Sequence, residues 1–197
     1  MPGIVRVRQS CDDRRMRRLA TVLALALTVS GTAVQAQPRR VESPELSRPW
    51  AVYFSPGGGA TQAVVEALGR AHHTVLVQTE TLTSPQITKA LADADHRGVK
   101  VEIILDRRHA KGRSASADAL AREGIGVLID RMHGTGTNMM VIDTEVVLTG
   151  SFGYTVAAER ETVENLLVIH APALAARYGE SWQTHAAHST RYTASSP

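Results

Sequence analysis

The chain has one cysteine, Cys11, among its 197 residues, so no internal disulfide framework can hold it together. Aromatic residues are scarce at 4%. Long apolar runs are scarcer still: Leu19 to Val29 is the only one, which excludes a polytopic membrane protein. With 43% hydrophobic and 21% charged residues, the chain is neither collagenous nor of low complexity. What is present has globular composition and the length of one domain, two at most. No internal repeat is visible.

The single apolar run belongs to an address. Arg17 and Arg18 precede it, and Val34-Gln35-Ala36 offers small residues for cleavage before Gln37. A positive n-region, an apolar h-region and a small-residue site are the parts of a secretory signal, and the run is short for a spanning helix. We therefore expect residues 1–36 to be a signal peptide, the product to be periplasmic or secreted, and no stable membrane anchor to remain. Met1 and Met16 both serve as possible starts.

The basic charge goes with that segment. The whole chain nets +3, but six arginines and two aspartates lie within 1–36, leaving 16 basic and 17 acidic residues and a net of −1. The pI near 9.3 is thus no argument for nucleic acid, since tight, salt-sensitive binding needs clustered Lys and Arg. Cys11 leaves as well. The remaining 161 or so residues suffice for one unaided core.

Residues 37–48 read as a polar, proline-containing linker. Ala51 to Phe54 reads as a strand, closed by Ser55-Pro56-Gly57-Gly58-Gly59, and Ala60, Ala63, Val64, Ala67 and Leu68 fall on one helical face. Thr74 to Thr83 alternates like a strand. Ser84-Pro85 opens a helix as cap and first position, and Gly98 stops it. A strand at Val99 to Leu105, a charged loop at Asp106 to Arg113 and a helix through Ala117, Leu120 and Ala121 follow. Four further strands are expected at Val127 to Ile129, Met139 to Ile142, Val146 to Leu148 and Leu166 to Ile169, with a tight turn at Asp143-Thr144-Glu145. A last helix carries Leu174, Tyr178, Trp182 and His185. Residues 189–197 read as a flexible tail. Strands alternating with helices, plus that hairpin, predict an α/β fold with a mixed β-sheet flanked by helices.

Between the fourth strand and the last helix runs GTGTNMMVIDTEVVLTGSFGYTVAAERETVENLLVI. It resembles the phospholipase D superfamily motif, H-x-K-(x)4-D-(x)6-G-S with a downstream Glu-Asn, in its small, exported, single-motif endonuclease branch. FSPGGG at 54–59, TSPQI at 83–87, GRSAS at 112–116 and the terminal helix extend the resemblance over most of residues 49–188. The resemblance implies a phospholipase D-like fold for that span.

The register is fixed from the retained end. Asp143 precedes Gly150-Ser151 by the motif's six-residue gap, and Glu164-Asn165 follows. Counting back, the lysine position holds Asn138 and the histidine position holds Gly136; Gly153 stands where a polar residue belongs. In the family, two motifs meet, in small members across a homodimer. One histidine attacks phosphorus, the other protonates the leaving oxygen, and lysines hold the phosphate. Glycine supplies neither nucleophile nor proton, and asparagine supplies no charge.

The resemblance thus implies a phosphodiester or other anionic ligand, phospholipid or nucleic acid, and a homodimer, or a heterodimer with an active relative. It implies no cofactor. Asp143, Ser151 and Glu164 are its retained positions. Gly57, Gly58 and Gly59 at a helix opening, with Arg107, Arg108 and Lys111, are candidates for holding phosphate. His133 is a candidate substitute nucleophile. His72-His73 reads as a helix cap, and His185 and His188 have no carboxylate partner at ligand spacing, so no metal site is expected. Three readings stay open: a disarmed, anion-binding domain; a working phosphodiesterase rescued by His133 or a partner; and a non-catalytic interaction module.

Overall fold

The computed structural model describes residues 49–110 and 115–194. The expected signal, the 37–48 linker, Cys11 and Lys111 lie outside the described residues. Eight strands form one mixed sheet in the order β1-β7-β6-β5-β2-β3-β4-β8. They are β1 Trp50–Ser55, β2 Thr74–Thr79, β3 Lys100–Leu105, β4 Gly126–Asp130, β5 Asn138–Ile142, β6 Val146–Gly150, β7 Glu164–His170 and β8 Ser189–Arg191. β2, β3 and β4 are parallel, while every other pairing is antiparallel.

Helices cover both faces. On one side lie α1 (Ala60–Gly69), α2 (Pro85–His96), α3 (Ala115–Arg122) and the short α4 (Val156–Arg160); on the other lies α5 (Pro172–Ala187). The strand side chains alternate accordingly. Val75, Val77, Ile103, Leu105, Met140 and Ile142 enter the first core, while Ile104, Met139 and Val141 join Ala175 and Trp182 in the second. A sheet buried on both faces explains the near-continuous apolar strands. Trp182 is fully buried and its indole N–H donates to the Val77 carbonyl at 2.9 Å, so α5 is fixed to β2 by one polar bond inside an apolar contact.

Local signals explain the boundaries. The Ser84 hydroxyl accepts from the Ile87 N–H and Pro85 occupies the first turn of α2. The β5–β6 hairpin turns through Asp143 and Thr144 at φ 52° and 57°, and the Glu145 N–H closes the turn on the Ile142 carbonyl at 3.0 Å.

Four expectations change. Ser189–Arg191 is not tail but strand β8, pairing with Leu128, Ile129 and Asp130 at the sheet edge. The charged loop begins as a 3-10 turn at Arg107–Ala110, and α4 appears where no helix is expected. The His72-His73 pair does not cap α1; its backbone N–H groups reach Asp143 instead. Among the described residues, no helix is long and apolar enough to cross a membrane.

Candidate functional site: the open end of the β5–β6 hairpin

β5 runs antiparallel to β2, so its first residue, Asn138, sits beside the last residue of β2, Thr79. The Thr79 hydroxyl donates to Asn138 Oδ1 at 2.7 Å, and Asn138 Nδ2 donates to the Ser151 carbonyl at 3.1 Å. Asn138 pairs with Gly150 across the hairpin. The lysine position of the motif is therefore filled by an uncharged side chain held at both ends.

Gly150 lets the next strand approach. Its φ is +148°, and a Cβ there would collide with the backbone carbonyl of Asn165, so only glycine fits. Close approach brings β7 onto Ser151: the Asn165 N–H donates to Ser151 Oγ at 3.0 Å, leaving that exposed hydroxyl's own proton free to donate outward. Glu164 turns inward, its Oε2 accepting from the Gly153 N–H at 2.8 Å and its Oε1 from the Thr162 hydroxyl at 2.6 Å. Its backbone N–H donates to Ser55 Oγ at 3.2 Å. Asn138, Ser151, Gly153 and Glu164 thus converge at one end of the sheet.

Gly136 lies on the exposed approach to β5, and a Cβ there would meet nothing within 4 Å. The histidine position is empty of chemistry but open in space.

The other candidates separate. Asp143 stands at the opposite end of β5, about 16 Å away along five residues of strand. Its Oδ1 accepts from the N–H groups of His73 (2.7 Å) and Thr74 (2.8 Å), and its Oδ2 from that of His72 (2.8 Å). Burial pushes its carboxyl up, but these three N–H groups outweigh that and hold its pKa below the ordinary 3.8. Asp143 is a turn anchor, not a member of the site. The glycine run also needs correction as an anion cradle. The first turn of α1 already faces a carboxylate, since the Thr61 N–H donates to Glu159 Oε2 at 2.7 Å, and the Gly57 N–H donates to the Glu159 carbonyl. α4 supplies that internal anion. Gly58 has a backbone reason instead, because a Cβ there would overlap the Phe54 carbonyl.

Arg108 is engaged by Glu80 at 2.6 Å and by buried Asp106 at 3.0 Å. The guanidinium's hydrogen bond to Glu80, then that to Asp106, raises its pKa. Arg107 has no ion-pair partner among the described residues, and it lies near Gly134. His133 turns away from the hairpin: its ring centroid is 5.2 Å from that of His188 and 5.8 Å from that of His185. Those two histidines do have a carboxylate partner after all, Asp130. Sequence distance hid it, although two i, i+3 pairs, Asp130/His133 and His185/His188, were there to be read.

This architecture has known counterparts. Residues 64–185 match the family described as cardiolipin synthase, PLD-like domain. A phospholipase D of Rickettsia typhi is 36% identical over 148 residues, covering 74% of this chain and 72% of that protein. A mitochondrial cardiolipin hydrolase of Xenopus laevis is 33% identical over 89 residues, 45% of this chain and 42% of that one. Among solved structures, the phospholipase D family member Nuc from Salmonella typhimurium superposes with a TM-score of 0.69 at 34% identity, covering 73% of this chain and 97% of Nuc. NucT from Helicobacter pylori shares the fold, with a TM-score of 0.65 at 17% identity. The chain belongs to the phospholipase D superfamily of phosphodiesterase-like proteins, as a Nuc-like member.

Proposed function

We propose that this protein is a disarmed phospholipase D-like domain, one that holds a phosphodiester or related anion at the open end of the β5–β6 hairpin without turning it over. The reading rests on Gly136 and Asn138. A glycine cannot form a phosphohistidine, and the Asn138 amide, held between Thr79 and Ser151, brings no positive charge to a developing phosphorane. Loss of a catalytic nucleophile costs on the order of 10⁴ to 10⁶ in kcat. In a symmetric pair of copies, both nucleophile and acid are lost together. Polar groups for binding persist: the free proton of Ser151 and a spare Asn138 N–H, with the Arg107 guanidinium beside Gly134, two residues before the histidine position.

The chain carries one motif, so we take the binding unit to be a pair of copies, exported if the N-terminal address is used. The test is hydrolysis of a chromogenic phosphodiester by the full chain beside the double variant Gly136→His, Asn138→Lys, each with and without EDTA. The natural chain should be silent, and the double variant should exceed it by at least about 100-fold, a fraction of what a nucleophile is worth. Turnover by the natural chain would overturn the reading. Silence from a folded double variant would show that more than these two positions has been lost.

A further inference from the structure

A second constellation lies at the sheet's other flank, outside the hairpin site. Asp130 ends β4 and is wholly buried. Its Oδ1 accepts from the N–H groups of Met132 (2.9 Å) and His133 (3.0 Å), which fixes the carboxylate plane. Its Oδ2 then faces three imidazoles: His185 Nδ1 at 3.0 Å, His188 Nε2 at 3.2 Å and His133 Nδ1 at 3.8 Å. One ligand atom from each of the four residues lies within 4.8 Å of all the others.

A single carboxylate oxygen needs at most two hydrogen-bond donors, and one imidazolium would neutralise it. Three converging rings exceed what either capping or charge balance asks for. A tetrahedral zinc ion, with bonds of about 2.0–2.1 Å, sets its ligand atoms about 3.3 Å apart. The three distances to Oδ2 straddle that spacing, and three imidazoles with one carboxylate suit a borderline divalent ion.

We propose that Asp130, His133, His185 and His188 form a four-ligand site for a divalent transition-metal ion of the zinc type. The four protein ligands complete a tetrahedron and leave no open position, so the site is structural rather than catalytic. Its position gives it a task. His185 lies in the last turn of α5, His188 follows the helix, and Ser189 begins β8 opposite Asp130. β8 is only three residues long. An ion here ties the C-terminal segment to β4 at the exposed edge of the sheet. His133, more than half exposed, provides the entry side.

The experiment is equilibrium dialysis of the untagged full chain against Zn²⁺, with metal content read by mass spectrometry, and a Co²⁺ titration read by its d–d absorption. One equivalent per chain and a tetrahedral Co²⁺ spectrum are expected. Saturation with Zn²⁺ at about 100-fold over its Kd should raise Tm by roughly 5–10 °C. The double variant His185→Ala, His188→Ala should bind at least about 100-fold more weakly, since even outer-shell changes cost 10–100-fold. His133→Gln alters only an exposed ring, so its weakened binding in a chain of unchanged circular dichroism separates ligand loss from unfolding. His72→Ala, His73→Ala should bind as the natural chain does. Failure of the natural chain to take up one equivalent overturns the proposal, as does equal uptake by the His185/His188 and His133 variants.

Discussion

At the turn of the β5–β6 hairpin, the motif aspartate keeps a full set of partners; at the open end, five residues away, the motif's chemistry has been replaced. Asp143 accepts three backbone N–H groups from the start of β2. Gly136 touches nothing where a side chain would be, and the Asn138 side chain makes two hydrogen bonds within the protein. The two ends answer to different demands. The turn ties β5 to the start of β2 through three backbone N–H groups, whereas a side chain at the Gly136 position would enter open space. A change confined to the open end therefore leaves the hydrogen bonds of the turn in place, and a fold alone does not establish an activity.

That contrast can be broken or sharpened by substitution. The largest effect is expected at the open end itself, but on its backbone. Gly150→Ala drives a methyl into the Asn165 carbonyl at a φ that favours glycine, and should cost about 3 kcal/mol in urea denaturation. A cost under about 1 kcal/mol would mean that β7 can retreat, and that the close approach at Ser151 is soft. Next comes the turn. Asp143→Ala strands three N–H donors and should cost ~1–3 kcal/mol, with no change in anion binding at the other end.

Acid should expose the same anchor. The folded-state carboxyl of Asp143 titrates below its ordinary 3.8, so its contribution is complete above that pH and is lost as pH falls through the lower, folded value. Stability of the natural chain should thus decline more steeply below about pH 4 than that of Asp143→Asn, compared by thermal melts. Parallel declines would show that Asp143 is not held as its three donors imply. The smallest effect is expected at the vacant histidine position. Gly136→Ala enters open space and should shift stability by no more than about 0.5 kcal/mol. A larger loss would show that this glycine serves the fold.

Much of this was legible in the chain. Ser84-Pro85 and Gly98 bracket α2 because caps and stops act within a turn of the backbone. The alternation of Val75 and Val77 placed β2, although the strand ends at Thr79 and not at Thr83, and the gap from Asp143 to Gly150-Ser151 fixed the motif register. The tail was misread because β8 has only three residues and owes its pairing to β4. The glycine cradle was misread because its occupant, Glu159, sits about a hundred residues downstream on a helix too short to show a period.

The sequence by itself determined most of the elements, the α/β class, the family and the glycine and asparagine at the motif's histidine and lysine positions, since each is written in neighbours a few positions apart. Only the tertiary structure decided which polar groups meet. Asp143 was set against the start of β2, Glu159 at the mouth of α1, and Asp130 beside three histidines, two of them more than fifty residues away. Such meetings depend on strand order and on the docking of α5 through Trp182. No local propensity encodes them, because contacts of long sequence separation exist only after the core has closed.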